Sequence, residues 1–407
     1  MLQVRTGMLD AKKGAITAVG ELSEHCGAAF VPFLEQTLPL LQKAATNWHP
    51  RIKCEVAAAM PSLVAAIVAD DHGGEIKWEK GDIAGANPMS ARTIAVVTAV
   101  LNQLVELLED DDVDTVGKAC EGITGVIDVC GPHSLAIVAN KCLENTLKLL
   151  KKEGRCQLSE DIEDIGDDED DDDHELFMTS ACDLVATFAQ VMGPHFVQYL
   201  PQFLPAIAAY AKSSRPVTDR SMALGCLGEL SQALQTGLAD HWKTTYLPLI
   251  LAGLLDADDN VKHNAAFCAG VCCEGLGNLI LPDYPQLLQA LGVLFTVDPN
   301  QADSSAACVD NAVAAICRMV MTSPESVPID QVLPAMLKAL PLKNDFVENE
   351  TVFKCLLGLI HGNHPQVRVN AVEFRRVFQE ATMEESKVDE EDKLKLRLAL
   401  SAPALAQ

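Results

Sequence analysis

Aromatic residues are scarce in this 407-residue chain, at 5% against 49% for all hydrophobic residues. A core must therefore be built from Ala, Leu, Val and Ile, and the apolar content excludes wholesale disorder. Basic residues are also few, 31 against 57 acidic ones, which gives a net charge of −26 at pH 7. Direct nucleic-acid binding needs a basic surface and is disfavoured. A basic protein partner is favoured, the alternative being that the charge serves solubility alone.

Further absences narrow the class of protein. The 14 cysteines include no CxxC pair and mostly lie in apolar stretches, which is typical of reduced core residues in a cytosolic or nuclear protein. The N-terminus lacks a signal sequence, and we find no 18-residue apolar run, so we predict a soluble intracellular protein without a membrane partner. No catalytic constellation, metal site or phosphate-binding loop is recognisable, so we expect no enzyme, no cofactor and no metal.

Two kinds of apolar segment alternate along the chain. The first carries an internal Pro, as in PFLEQTLPLL (32–41), PQFLPAIAAY (201–210), TTYLPLILAGL (244–254) and DQVLPAMLKAL (330–340). The second follows it, as in HPRIKCEVAAAMPSLV (49–64), TDRSMALGCLGELSQAL (218–234), DDNVKHNAAFCAGV (258–271) and DSSAACVDNAVAAICRMV (303–320). Arg220 and Lys262 hold the same place 42 residues apart. A helix pair of that period predicts an all-α fold, an α-solenoid of HEAT repeats whose helix pairs stack into a superhelix.

The Pro-bearing helix is predicted to be the outer one of each pair, and the second helix to line the concave side. Inner helices are predicted to start near residues 10, 50, 113, 175, 217, 259, 304, 346 and 388. This gives a single array of about eight pairs over residues 1–407. The first inner helix has no outer partner before it, so we expect the chain to be the C-terminal part of a longer solenoid. The alternative is a natural N-terminal capping helix.

An acidic run interrupts the period. Residues 160–175 hold twelve carboxylates and no Lys or Arg. Because such a run repels itself, it predicts a disordered, solvated loop at 158–175. The residues that we expect to attract a basic partner are Asp167, Asp168, Glu169, Asp170, Asp171, Asp172 and Asp173. The alternative is a solubility spacer.

Several segments together resemble one known family. They are the loop ending in DDDDHE (170–175), PHFVQYLPQFLP (194–205), DRSMALGCLGEL (219–230), DDNVKHNAAFCAGV (258–271), VDNAVAAI (309–316) and ALPLKND (339–345). The chain resembles the C-terminal, cargo-binding half of importin-β-family karyopherins. The resemblance covers roughly residues 120–360, and residues 383–407 depart from it.

The resemblance implies a nuclear import receptor that shuttles between cytoplasm and nucleus. It implies cargo with basic nuclear-localisation signals, such as histones H3 and H4 and ribosomal proteins, bound on the acidic inner surface. Ran-GTP and nucleoporins are the partners expected of the full-length protein. The family's Ran site lies in N-terminal repeats, so we expect it to be absent from this chain.

Seven residues are predicted to form the cargo site. Asn264 and Asn311 align on successive inner helices and could pair with the backbone of an extended peptide. Phe267 lies on the same helical stripe as Asn264, and Glu348 and Glu350 could accept charge-assisted hydrogen bonds from Lys. The full set is Glu229, Asn264, Phe267, Asp310, Asn311, Glu348 and Glu350. The alternatives are that the Asn residues only satisfy backbone groups and that Glu229 belongs to the scaffold.

A second class of function stays open at this point. HEAT arrays also act as scaffolds of the phosphatase-regulatory or assembly-factor type, or as a histone chaperone platform, without transport. The acidic run and the irregular repeat lengths favour the import receptor.

Overall fold

The computed structural model describes residues 6–83, 85–158 and 168–405. Within these ranges the chain forms nineteen α-helices, numbered α1 to α19 in chain order, and no strand. The all-α prediction is therefore confirmed.

Nine helices form the inner layer. They are α1 (Thr6–Cys26), α3 (Pro50–His72), α5 (Val113–Cys130), α8 (Asp168–Met192), α10 (Val217–Leu234), α12 (Asp259–Leu276), α14 (Asp303–Thr322), α16 (Asn349–His361) and α19 (Glu390–Ala399). Each packs on the next within two successions, the first from α1 to α8 and the second from α10 to α19. Several begin at a side-chain cap: Asp112 accepts from the Thr115 N–H, and Asp258 accepts from the Asn260 and Val261 N–H groups. These caps explain why inner segments open with Asp in the sequence.

Outer helices pack against this layer. They are α2 (Leu34–Ala45), α4 (Ala91–Leu107), α6 (Pro132–Leu150), α9 (Leu200–Ala208), α11 (Leu247–Leu254), α13 (Tyr284–Leu294), α15 (Ile329–Ala339) and α18 (Ala371–Ala381). Two short helices remain, α7 (Arg155–Leu158) and α17 (Pro365–Val369). Pro39, Pro205 and Pro334 lie inside outer helices, as predicted. The α-solenoid of HEAT repeats is confirmed.

The helices group into two compact units, Met1–Ile207 and Ala208–Gln407. Unit 1 contains the inner helices α1, α3, α5 and α8, and unit 2 contains α10, α12, α14, α16 and α19. That residues 1–407 form one continuous array stays a prediction.

The prediction that no segment is apolar enough to cross a membrane does not hold for three helical stretches. By length and composition, Pro50–His72, Asp259–Leu294 and Asp303–Thr322 could do so. Their apolarity has a structural cause, because an inner helix packs against inner neighbours on both sides and against outer helices. In the third stretch 89% of the most apolar window is buried. Twelve of the 14 cysteines are buried as well.

A left-handed residue ends several inner helices. Gly27, Gly193 and Gly277 have φ values of 51°, 53° and 53°, and each opens a 3-10 turn that leads into the next outer helix. Gln235 holds the same place after α10 with φ 48° and ψ −122°, close to the 53° and −128° of Gly277. Glycine adopts this conformation without steric cost, whereas a side chain is strained there.

Gln235→Gly is therefore expected to stabilise unit 2 by about 1 kcal/mol, because it removes backbone strain from a conformation that the fold imposes. The converse change, Gly277→Gln, is the matched control and should destabilise unit 2 by a similar amount, since a Cβ at 277 meets no atom within 4 Å. Urea unfolding of both variants measures the difference. A loss of stability in Gln235→Gly would contradict the assignment of strain.

Candidate functional site

Inner helices are tied to the turn that opens the following inner helix. The Lys53 ammonium on α3 donates to Asp110, in the turn before α5. Arg220 on α10 donates from Nε and Nη2 to the two carboxylate oxygens of Asp256, at 2.9 Å each, in the turn before α12. Both ion pairs are largely shielded from solvent. The recurring Lys/Arg position in the repeat is thus structural at these two helices.

At α14 the tie is made instead by an acidic side chain, Asp310, which binds backbone N–H groups. Asp310 accepts the backbone N–H groups of Lys343, Asn344 and Asp345 on a single oxygen, Oδ2, at 3.0, 2.8 and 3.0 Å. Burial raises the pKa of Asp310, and these three hydrogen bonds oppose the rise. The bound segment belongs to the connection between α15 and α16. We name residues 343–348 the inner strap.

The strap ends in a buried ion pair. Glu348 lies 2.9 Å from Arg318 through Oε2 and Nη1, and accepts from Arg318 Nη2 at 3.0 Å through Oε1. The two side chains are 6% and 8% exposed. Arg318 Nε also lies 3.3 Å from a carboxylate oxygen of Glu274, which is largely exposed. The strap therefore lies along α14 from Asp310 to Arg318, and every residue from 305 to 320 is buried.

The two aligned asparagines hold the scaffold together. Asn264 donates to the carbonyl oxygen and the hydroxyl of Ser221 on α10, at 3.0 and 2.8 Å. Asn311 is buried and donates to the Ala307 carbonyl and to Asp345 of the strap, at 3.1 and 2.7 Å. These contacts agree with the alternative that the two asparagines bind groups of the protein itself. Phe267 is half-buried, and its ring covers Gly228 of α10.

The seven predicted residues do not form one accessible groove. Asp310, Asn311 and Glu348 are buried, with 2%, 1% and 5% of their surface exposed, and each binds the strap, its own helix or Arg318. This differs from the prediction that they face a cargo peptide, because the strap occupies the inner side of α14. Glu229 on α10 and Glu350 on α16 are exposed. They are the two carboxylates of the set that a partner can reach, and their role in binding stays a prediction.

The predicted acidic loop is in part helical. Residues 159–167, including Asp167, lie outside the described residues, whereas Asp168, Glu169, Asp170, Asp171, Asp172 and Asp173 open α8. The loop prediction for 168–175 is therefore corrected.

Three residues that matter here were missed from the sequence. Arg318 and Asp345 were not proposed, nor was His263, whose Nε2 lies 3.4 Å from Asp345 Oδ2. The hydrogen bond from His263 lowers the pKa of Asp345, with further help from Asn311 and against the effect of burial. Arg318 carried a usable signal, since a lone cation in the apolar stretch AAICRMVM must find a buried partner.

The comparisons with known proteins agree with this fold. No family model matches the chain. It is 27% identical over 373 residues to the probable importin subunit beta-4 of Schizosaccharomyces pombe, 29% over 370 residues to importin-4 of Mus musculus and 26% over 404 residues to importin-4 of Homo sapiens. These alignments cover 89%, 89% and 98% of the chain, and 34%, 32% and 36% of those relatives. The chain thus spans about a third of their length.

Solved structures of Kap121p have the same fold. Kap121p bound to the SUMO protease Ulp1p matches with a TM-score of 0.73 at 16% identity, over 98% of this chain and 36% of that one. Kap121p bound to Nup53p matches with a TM-score of 0.69 at 14% identity, over 98% and 36%. The resemblance to importin-β-family karyopherins is confirmed. The described residues of this chain hold no cluster of three or more His, Cys, Asp or Glu that could bind a metal.

Proposed function

We propose that this chain is the part of a nuclear import receptor that binds basic nuclear-localisation signals of cargo on the inner surface of its helices. The observation that carries the proposal is its similarity to importins over 89% or more of its length. The net charge of −26 fits a basic cargo, since a negative field attracts cationic ligands and speeds their encounter. Histones H3 and H4 and ribosomal proteins are the cargo class, and the cytoplasm and nucleus are the compartments.

The accessible part of unit 2 supports the proposal. Glu229, Glu274 and Glu350 are exposed on the inner helices α10, α12 and α16, and the ring of Phe267 on α12 is half-buried. Exposed carboxylates can take the charged end of a lysine side chain, and apolar surface can take its aliphatic stem. Ran-GTP and nucleoporins are proposed partners of the longer protein to which such a segment belongs.

Binding to a histone H3 tail peptide is expected to weaken steeply with salt. The Debye length shrinks from about 10 Å at 0.1 M to about 3 Å at 1 M, so contacts between exposed charges are lost. Titrations of the H3 peptide and of a neutral peptide of equal length, from 0.1 to 0.5 M salt, measure this. A salt-independent affinity, or equal affinity for both peptides, would favour the scaffold function instead. A parallel titration with Ran-GTP tests the expectation that its site lies outside this chain.

Charge reversal separates specific contacts from the general field. Glu229→Lys with Glu350→Lys is expected to weaken H3 peptide binding at least tenfold, about 1.4 kcal/mol, because both carboxylates lie on inner helices. The matched control is Asp240→Lys with Asp330→Lys, which changes the net charge equally at exposed positions outside the inner layer. Isothermal titration of both variants gives the comparison. An equal loss in both would mean that the net charge, and not the inner surface, attracts the peptide.

A further inference from the structure

The inner strap is held as a protein holds a bound peptide. Its backbone N–H groups at residues 343–345 donate to Asp310, and each of its two carboxylates contacts side chains of inner helices. Asp345 contacts Asn311 on α14 and His263 on α12, and Glu348 contacts Arg318 on α14. The strap is part of the chain, yet its backbone and both of its carboxylates are bound by side chains of inner helices, as those of an acidic peptide ligand would be.

The two groups that hold the strap carboxylates differ in kind from the exposed carboxylates of the inner helices. Arg318 is cationic, and His263 lies with Nε2 3.4 Å from Asp345 Oδ2. Both lie on inner helices whose exposed neighbours include the carboxylates of Glu229, Glu274 and Glu350. Without the strap, Arg318 would place an uncompensated positive charge next to the exposed carboxylate of Glu274, and would repel a lysine-rich peptide there.

We propose that Asp345 and Glu348 of the inner strap mask His263 and Arg318, and so make unit 2 selective for basic over acidic peptides. The two carboxylates act through the side chains they cover and are positioning residues without contact to cargo. Asp310 keeps the strap in place through three backbone hydrogen bonds, so we expect the strap to stay on α14 when a peptide binds. This inference rests on the proposed function, because it concerns the charge selectivity of the same surface.

The test compares two variants that each lose two carboxylates. Asp345→Ala with Glu348→Ala uncovers Arg318 and His263, whereas Glu229→Ala with Glu350→Ala removes exposed carboxylates and leaves the mask intact. Each is titrated, beside the unaltered chain, with the H3 tail peptide and with a Glu-rich peptide of equal length. Both variants are expected to lose affinity for H3. The first is expected to gain much more affinity for the Glu-rich peptide than the second, because it exposes a positive charge as well as removing two negative ones, so that its H3-to-Glu ratio falls at least tenfold below that of the second.

Equal ratios in the two folded variants, within about twofold, would overturn the proposal; a purely structural strap would weaken both peptides alike. If the double variant does not fold, Glu348→Gln is measured instead, since it keeps the shape against Arg318 and removes only the charge. Hydrogen exchange adds an independent readout. The amide protons of Lys343, Asn344 and Asp345 should still exchange slowly when H3 peptide is bound. Faster exchange would show that the peptide displaces the strap.

Failure of the proposed function gives a different pattern. If the unaltered chain binds neither peptide, the cargo proposal fails. Masking is then still judged by the gain of Glu-rich binding in Asp345→Ala with Glu348→Ala alone.

Discussion

Glu348→Ala is expected to lower the free energy of unfolding of unit 2 by about 3 to 5 kcal/mol, because it leaves the Arg318 guanidinium buried without its partner. The two side chains are 8% and 6% exposed, so water cannot replace the lost carboxylate. Glu274 contacts Arg318 only through Nε at 3.3 Å, from a position that is 64% exposed. Solvent screens that second carboxylate, and it offsets little of the loss.

Urea unfolding followed by Trp242 fluorescence measures this effect. Trp242 is buried in unit 2, and the two other tryptophans, Trp48 and Trp78, lie in unit 1 and can be replaced by Phe in the background. The control removes both charges at once, as Arg318→Met with Glu348→Leu. A buried ion pair can often be exchanged for apolar residues at little cost, so this variant should lose much less stability than Glu348→Ala. Equal losses would mean that packing, and not the unpaired charge, dominates.

The repeat could be predicted from the sequence because its signal is periodic. Inner helices must bury two sides and therefore show long apolar stretches, and Asp or His marks their first turn through capping, as at Asp112 and His49. Internal prolines mark the outer helices α2, α9 and α15, although the inner helix α3 also contains Pro61. These are local rules, so the starts of the inner helices follow from them to within a few residues, with α8 as the main departure.

The candidate site could not be predicted to the same degree, for a physical reason. Asn264 and Asn311 align along the chain, but which side of a helix a partner can reach depends on the segments that cover it. The inner strap lies 25 to 30 residues beyond Arg318 in sequence, and nothing in the period shows that it folds back over α14. Alignment of repeats thus gives equivalent positions in the helix, while burial of Asp310 and Glu348 is decided by a connection that the repeat does not contain.

The connection between α3 and α4 gives a second example of such a covering segment. The described residues of this connection, 73–83 and 85–90, are rich in Gly and polar side chains, yet they pack on two later turns of unit 1. The Gly81 N–H donates to the Val191 carbonyl at 2.8 Å, at the end of α8. Trp78 packs on Gly131, and His133 Nε2 lies 3.2 Å from the Gly85 carbonyl. The loop therefore binds three successive helix pairs of unit 1 together.

Gly131→Ala is expected to destabilise unit 1 by about 2 to 4 kcal/mol, from two separate causes. Gly131 has φ 70° and ψ −165°, a region that only glycine occupies readily. A Cβ there would also lie 2.7 Å from the Cβ of Trp78, and overlap with its ring would push the indole off the turn. The emission of Trp78 should then shift to longer wavelength, as the ring moves toward solvent.

Gly73→Ala is the matched control for the backbone term. Gly73 has φ 69° with ψ 21°, and a Cβ at this position meets no atom within 4 Å. It should cost about 1 kcal/mol, the ordinary penalty of a left-handed residue, and leave the Trp78 emission unchanged. Urea unfolding followed by Trp78, with Trp48 and Trp242 replaced by Phe, compares the two. Because the clash needs the indole, adding Trp78→Ala to Gly131→Ala should recover part of the difference when unfolding is followed by circular dichroism. No recovery and no spectral shift would show that the connection between α3 and α4 does not rest on this turn.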